Sequence, residues 1–253
     1  MKVSIITASF NSELFIESAI NSVLNQSYND IEYIIVDGLS SDNSAKIISS
    51  YNNRVTKFIS DPDSGIYDAL NKGIDYATGD IIAFLHSDDI YHDEKVVENV
   101  VQQFKNDRNL DCVYGDLVYT AREDISVVSR YWKSKSFKPY LLSMGWMPPH
   151  PTIFLKKEIY RSYGKFNLNY KISADYDFIL RIFSKKIKTK YIPRVIYKMR
   201  LGGESNKSII NIIKKSSEDH RTIKENKIGG IFTLLYKNFS KLTQFVFKEK
   251  IND

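Results

Sequence analysis

Apolar and polar positions fall in blocks along the first half of the chain, and the blocks alternate between two periods. Residues 2–8 form a nearly continuous apolar run, the pattern of a strand buried on both faces. In residues 13–26, Ile16, Ile20, Val23 and Leu24 recur on one helical face, and Asn11 and Ser12 ahead of them are helix-capping types. Residues 31–36 predict a second strand, Ser40-Ser41-Asp42 the opening of a second helix, and residues 55–60 a third strand. A third helix over 66–77 and a fourth apolar strand over 80–85 follow. Buried strands separated by helices predict an α/β fold with a mostly parallel sheet covered on both faces.

Open sheets of this kind bind ligands at the carboxyl ends of their strands, and here those ends are polar. Thr7-Ala8-Ser9-Phe10-Asn11 follows the first strand and Asp37-Gly38-Leu39-Ser40-Ser41-Asp42 the second. Asp61-Pro62-Asp63-Ser64-Gly65 follows the third, and His86-Ser87-Asp88-Asp89 the fourth. Each alone reads as ordinary turn chemistry; together they predict a site. A dinucleotide fold is a poor fit, because no Gly-x-Gly-x-x-Gly follows the first strand, and no Gly-x4-Gly-Lys-Ser/Thr phosphate loop occurs.

Asp88-Asp89 carries the sharpest chemistry. Adjacent carboxylates at the end of an apolar strand are costly to keep ionised without a cation, and hard oxygen ligands suit Mg²⁺ or Mn²⁺ bound jointly with substrate phosphates. The competing assignment makes Asp88 the cap of a helix beginning near Asp93. Farther along, Gly145-Trp146-Met147-Pro148-Pro149-His150-Pro151-Thr152 predicts a rigid turn before a strand. In it, His150 could bond a diphosphate or an acceptor sugar, and Trp146 could stack on a sugar face; a purely structural loop fits equally well. The four histidines lack zinc-like spacing.

These stretches resemble the family 2 glycosyltransferases, whose GT-A fold is a Rossmann-like sheet flanked by helices. Ser4–Asn11 is similar to the family's opening strand, and Ile35–Asp42 to its Val-Asp-Gly-Gly-Ser-x-Asp signature, with Leu39 in place of the second glycine. Asp63–Gly73 is similar to a subgroup of bacterial surface-polysaccharide assembly (O-antigen, capsule or colanic-acid type). His86–Asp89 sits where the family has its Asp-x-Asp metal motif, with Ser87 as its first residue, which makes Asp89 the expected direct ligand and Asp88 its companion. Ile172–Asp177 resembles the acidic motif that supplies the base, although Ala174 replaces a glutamate.

The resemblance covers residues 1–205 and implies an inverting, Mn²⁺- or Mg²⁺-dependent transferase using a UDP-sugar. It implies that Thr7, Ala8 and Asn11 line the nucleoside pocket, that Asp37 bonds the base edge, and that Asp68 and Lys72 lie by the nucleotide. Lys72 is also one helical turn from Asp68, which fits a surface ion pair. Asp175 is the expected general base, with Asp177 as its understudy or an acceptor ligand, and Ser173 as the cap of their helix. Met199–Asn206 resembles a Gly-Gly-x-Ser segment in which Arg200 adds charge near the phosphates. Two rivals stay open: an inactive nucleotide-sugar- or glycan-binding subunit, which the departures at Leu39, Ser87 and Ala174 favour, and a sugar-nucleotide nucleotidyltransferase, disfavoured by the loop after strand one.

Composition adds limits. At 253 residues, with 43% hydrophobic and 26% charged, the chain is globular. The expected organisation is a catalytic domain over 1–206, with a nucleotide-sugar half (1–118) and an acceptor half (119–206), and a basic helical tail over 207–253. The net charge of +6 is concentrated in that tail, which holds ten basic and five acidic side chains. There Ile231, Leu234, Leu235, Leu242, Phe245 and Val246 fall at helical spacing, opposite Lys237, Lys241, Gln244 and Lys248. Such a helix can lie on an anionic membrane or dock on the domain or on a second copy in a homodimer. No nucleic-acid-binding motif accompanies the charge. A strand-like start, one buried-looking cysteine (Cys112) and no run of about 18 apolar residues predict a cytoplasmic protein; the tail places it on the inner membrane face, and the resemblance implies a polyprenyl-diphosphate-linked glycan as acceptor.

Overall fold

The computed structural model describes residues 1–202 and 209–240. The strands and helices of the first half run β1 (Val3–Ser9), α1 (Ile16–Leu24), β2 (Ile31–Asp37), α2 (Ser44–Ser50), β3 (Lys57–Ser60), α3 (Ile66–Tyr76) and β4 (Ile81–Phe84). All seven expected elements are present. Their ends are displaced by a few residues, because the capping chemistry differs: neither Asn11 nor Ser12 caps α1 with its side chain, and the Ser12 carbonyl instead accepts from the Phe15 and Ile16 amides.

The second half adds β5 (Ile90–Tyr91), α4 (Val96–Asn106), β6 (Cys112–Thr120), β7 (Val128–Trp132), α5 (Tyr140–Ser143), β8 (Phe154–Lys156), α6 (Lys157–Tyr163), α7 (Ala174–Phe183) and β9 (Thr189–Arg200). Two further helices, α8 (Ile209–Glu225) and α9 (Ile231–Ser240), complete the described chain. All the strands share one sheet in the order β3-β2-β1-β4-β8-β6-β9-β5, with β7 on β6. The first four are parallel; β8 then joins antiparallel to β4 and β6, and β9 runs parallel to β6. The sheet therefore crosses the expected boundary near residue 118 without a break.

One apolar cluster packs α3, α7 and the aromatic turn before β8 against the sheet, and the other packs α1 and α4 against its opposite face. Cys112 is fully buried in β6. The pairing of β4 with β8 brings the end of β4 beside the turn that enters β8. This register assembles the site from segments some 60 residues apart.

The tail does not stand apart. Helix α8 packs on α7, and α9 packs on α8. Leu234, Thr233 and Lys237 of α9 face inward, and the Thr233 hydroxyl donates to the Ser143 carbonyl at 2.8 Å. Lys237, expected on the solvent side, is 3% exposed: its ammonium meets the buried Asp219 carboxylate at 2.6 Å and lies over the Tyr176 ring. The reason is a partner on another helix, invisible to spacing within α9. Phe232, Leu235, Tyr236 and Phe239 point outward instead. The expectations for Leu242, Gln244, Phe245, Val246, Lys241 and Lys248, and for the Gly203–Asn206 segment, lie outside the described residues.

Candidate active site

The loops after β1, β2 and β4 are laced to one another. Asn11, at a left-handed φ of 47° that asparagine tolerates, accepts from the Ser41 amide at 2.9 Å, while its own amide donates to Ser40 Oγ at 2.9 Å. Asp37 is fully buried and accepts from the Ser40 amide, the Ser40 hydroxyl and Ser60 Oγ. It braces the rim, and its oxygens are already engaged rather than turned toward a ligand. A carboxylate at that rim with a free oxygen is Asp63: Oδ1 takes the Gly65 amide, while Oδ2 lies over Gly38 and has no hydrogen-bond partner among the described residues. A Cβ on Gly38 would sit 2.4 Å from that oxygen, which accounts for the glycine. Thr7 is fully buried and shares a 3.1 Å bond with the Tyr33 hydroxyl, and Ala8 is core. Both therefore support the pocket floor, and only Asn11 of the three is exposed. Asp68 and Lys72 form the surface pair foreseen as the alternative, at 3.8 Å, with Lys72 also donating to the Pro62 carbonyl.

Asp88 and Asp89 differ in their surroundings, and Asp89, the expected direct ligand, is the more deeply engaged of the two. Asp89 is 1% exposed; Oδ2 accepts from Tyr197 at 3.1 Å and Oδ1 from the Arg200 amide at 2.9 Å. Burial, and then the Asp88 charge, push its carboxyl well above the usual carboxylate range. The half-buried Asp88 carboxylate has no partner among the described residues. Nor does Asp88 cap α4, since β5 intervenes and Lys95 precedes that helix. Arg200 is also anchored: it donates to the Asp88 carbonyl and to Ser18 Oγ, and lies over Phe15, which it shares with Arg122. Arg122, absent from the sequence expectations, is the exposed member of this pair.

One imidazole, His86, lies in reach of both Asp88 and Asp175, and a second, His150, in reach of Asp175. His86 follows β4, His150 sits in the turn before β8, and their rings are 6.4 Å apart. Burial lowers the pKa of both, His150 to about 4, against the opposing pull of Asp175. His86 Nδ1 and His150 Nε2 are buried without a hydrogen-bond partner, and unsatisfied buried polar atoms of this kind mark a place where a ligand completes the bonding. His86 had no expected role; only the β4–β8 register reveals it.

Asp175 closes the other side, at the start of α7. Its Oδ1 accepts from the Tyr176 amide at 2.8 Å and from the Tyr67 hydroxyl at 3.2 Å, and Oδ2 has no partner among the described residues. Burial pushes its carboxyl up, but His150, Lys215 and Lys237 outweigh it, and the carboxyl lies below its ordinary value. Asp177 is not available as an understudy: it is buried, bonded to Arg181 at 3.1 Å and Asn226 at 3.0 Å. Trp146 does not reach the cleft either; it stacks on Phe137 and meets Tyr114 and Phe183 edge-on inside the core. A separate cleft of about 710 Å³ at the amino ends of β1 and β4 carries Lys105, Arg108 and Arg161, but none of the strand-end carboxylates.

Among the described residues no three His, Cys, Asp or Glu side chains form a closed metal cage. The donors present fit the other arrangement such ions adopt, in which a hard divalent cation is held by one or two carboxylates and finished by phosphate oxygens and water. Asp88 is the carboxylate free to do so.

The profile described as Glycosyl transferase family 2 matches residues 4–187. A PGL/p-HBAD biosynthesis glycosyltransferase of Mycobacterium bovis is 29% identical over 208 residues, covering 80% of this chain and 78% of its own. Staphylococcus aureus TarS 1–349 in complex with UDP-GlcNAc superposes with a TM-score of 0.69 at 15% identity, over 99% of this chain and 77% of that one. The mannosyltransferase PcManGT of Pyrobaculum calidifontis, in complex with GDP-Man and Mn²⁺, gives a TM-score of 0.67 at 15% identity, over 96% and 70%. These likenesses identify the fold as GT-A.

Proposed function

The chain belongs to glycosyl transferase family 2, and on that basis we propose that it is an inverting transferase that moves a sugar from a UDP-sugar to a lipid-linked glycan in bacterial surface-polysaccharide biosynthesis. The observation that carries this reading is a pair of carboxylates, Asp88 and Asp175, each with a free oxygen, flanking two uncharged, unsatisfied imidazoles at the carboxyl ends of the strands.

The residues divide the work. Asp63 and Asn11 receive the uridine at the rim, over the floor braced by Asp37. Asp88 faces the diphosphate, where it would hold Mn²⁺ or Mg²⁺, and the ion would offset charge on the departing diphosphate. Asp175, whose carboxyl lies below its ordinary value, takes the proton from the acceptor hydroxyl through Oδ2 as that oxygen attacks the anomeric carbon. His150, neutral near pH 7, orients the hydroxyl or sugar without adding a competing charge.

The acceptor's lipid would be met by α9. Its outward Phe232, Leu235, Tyr236 and Phe239 are between 45% and 83% exposed, and the tail carries a basic excess. Aromatic and lysine residues at a helix surface suit an anionic bilayer interface. No described helix is long and apolar enough to cross a membrane.

The test is a thermal-shift screen of UDP, UDP-GlcNAc, UDP-Gal, UDP-GalNAc and GDP-Man, each with and without Mn²⁺, followed by assays of UDP release. A ligand bound only by the folded state raises the melting temperature by mass action. The expected result is a Mn²⁺-dependent shift with uridine nucleotides and about 10²- to 10⁴-fold slower turnover in Asp175→Asn. Nucleotide binding without turnover on any acceptor would instead point to a glycan-assembly subunit.

A further inference from the structure

We propose that Glu218, on α8 and beyond the segment that matches the family, is a positioning residue for Asp175; this rests on the reading of Asp175 as the base. Its carboxylate gathers three consecutive backbone amides just ahead of α7. Oε1 accepts from Lys171 at 3.0 Å, and Oε2 from Ile172 at 2.8 Å and Ser173 at 2.9 Å. The neighbouring Asp219 accepts from the Ser173 hydroxyl at 2.8 Å, so Ser173, expected to cap its own helix, is bonded outward to α8.

The middle residue, Ile172, is held from the other side as well. Tyr67 of α3 donates to the Ile172 carbonyl at 2.7 Å and reaches Asp175 Oδ1 at 3.2 Å. The backbone leading to Asp175 is therefore clamped between α3, a donor-side element, and α8. Loss of either jaw frees it to move. Bonds from amides to an ionised carboxylate are among the stronger hydrogen bonds, and three on successive residues leave that backbone no freedom to swing.

Helix α8 contributes charge as well as geometry. Lys215, on the same face as Glu218 at a spacing of three, is one of the two lysines that hold the Asp175 carboxyl down. The other, Lys237, is seated by Asp219. The C-terminal helices thus seat the base and, after His150, add to the pull that lowers its carboxyl, which makes them part of the catalytic unit. A displacement of about 1 Å in a reacting group can cost on the order of a hundredfold in rate, and that is the scale of effect available to Glu218.

The experiment uses the full chain. Glu218→Ala, Glu218→Gln, Asp175→Asn, the double variant Glu218→Ala/Asp175→Asn, and Thr233→Val as a destabilised comparator are assayed for UDP release with a panel of octyl glycosides as acceptors. Amide hydrogen exchange at residues 171–173 is measured in parallel. The expected result is faster exchange at those amides in Glu218→Ala and a kcat lower by about ten- to a hundredfold, with the Kd for UDP unchanged. Glu218→Gln recovers part of the rate, since its amide oxygen still accepts and its amide nitrogen cannot. In the Asp175→Asn background, Glu218→Ala costs nothing more, because the group it positions is already gone. The proposal is overturned if a folded Glu218→Ala or Glu218→Gln keeps wild-type kcat and exchange, or if Thr233→Val loses as much kcat for the same loss of Tm. Full turnover in Asp175→Asn would instead remove the reading of Asp175 itself, whatever Glu218 does.

Discussion

The backbone amide of Arg200 donates to Asp89 Oδ1 at 2.9 Å, fastening the end of β9 to the turn that presents Asp88. The two adjacent aspartates therefore fail differently when altered. Asp89→Ala leaves the Tyr197 hydroxyl and the Arg200 amide buried without an acceptor, and should cost about 3 kcal/mol in urea unfolding. Asp88→Ala should stay within about 0.5 kcal/mol of the parent, yet lose the Mn²⁺-dependent thermal shift with UDP. Equal losses of stability in the two variants would contradict this division.

His150 makes stability depend on pH in a defined direction. Unfolded, the imidazole has its ordinary value of 6.5; folded, burial lowers it to about 4. As pH falls from about 6.5 to about 4, the unfolded chain takes up a proton that the folded one refuses, so stability declines, and this contribution levels off below about 4. The gap corresponds to on the order of 3 kcal/mol. His150→Gln should flatten that part of the curve, measured by urea midpoints from pH 7.5 to 4. A share of the acid sensitivity should survive, because His86 is depressed too; Asp175, whose carboxyl is lowered from 3.8, adds its own loss only below that range.

Leu39 stands in the left-handed region at φ 58°, where the family signature has glycine, and is 52% exposed. A side chain there costs about 1–2 kcal/mol, partly offset by the entropy glycine loses on folding. Leu39→Gly should therefore raise stability by about 0.5–1 kcal/mol in chemical denaturation. A loss would mean that the leucine makes contacts the backbone strain does not outweigh.

Lys237 and Asp219 form an ion pair with both side chains under 5% exposed. Removing one partner strands the other. Lys237→Met should cost about 3–5 kcal/mol, and adding Asp219→Asn should return part of that, since no bare charge stays buried. Additive losses in the double variant would argue that the pair is uncoupled.

The outward face of α9 predicts binding to vesicles. The full chain should co-sediment with liposomes containing phosphatidylglycerol more than with neutral ones, and Phe232→Glu/Phe239→Glu should abolish this while leaving Tm unchanged. Concentration-dependent dimerisation lost in the same variant, with no vesicle binding, would show that a second copy covers the face instead.

The strands and first helices were legible because each carries one strong period, and the rim of polar residues followed from their carboxyl ends. Facing was harder. Asp88 and Asp89 are chemically identical in sequence, and only Tyr197 and Arg200, more than a hundred positions away, decide which turns inward. Helix α9 is apolar on more than one side, so its spacing admits two orientations; Asp219 selects the one that buries Lys237. His86 and Glu218 were invisible for a related reason. Their importance comes from the antiparallel seating of β8 on β4 and from the packing of α8 on α7, both set by distant pairing. Trp146 looked like a sugar platform because an aromatic beside prolines is compatible with a binding loop, until Phe137 and Phe183 supplied it with neighbours.

The family match ends at residue 187, ahead of all of β9 and α8. A fragment trimmed at that boundary would retain every loop that greets the donor, yet lack Arg200 behind Asp88 and Glu218 behind Asp175. Since β9 also lies between β6 and β5, such a fragment would leave those strands unpaired at that place and the proposed base unmoored. Comparisons among relatives confined to the shared segment would miss the contacts that seat Asp175, and on the proposed reading divergence in the last two helices would alter turnover while leaving donor choice intact.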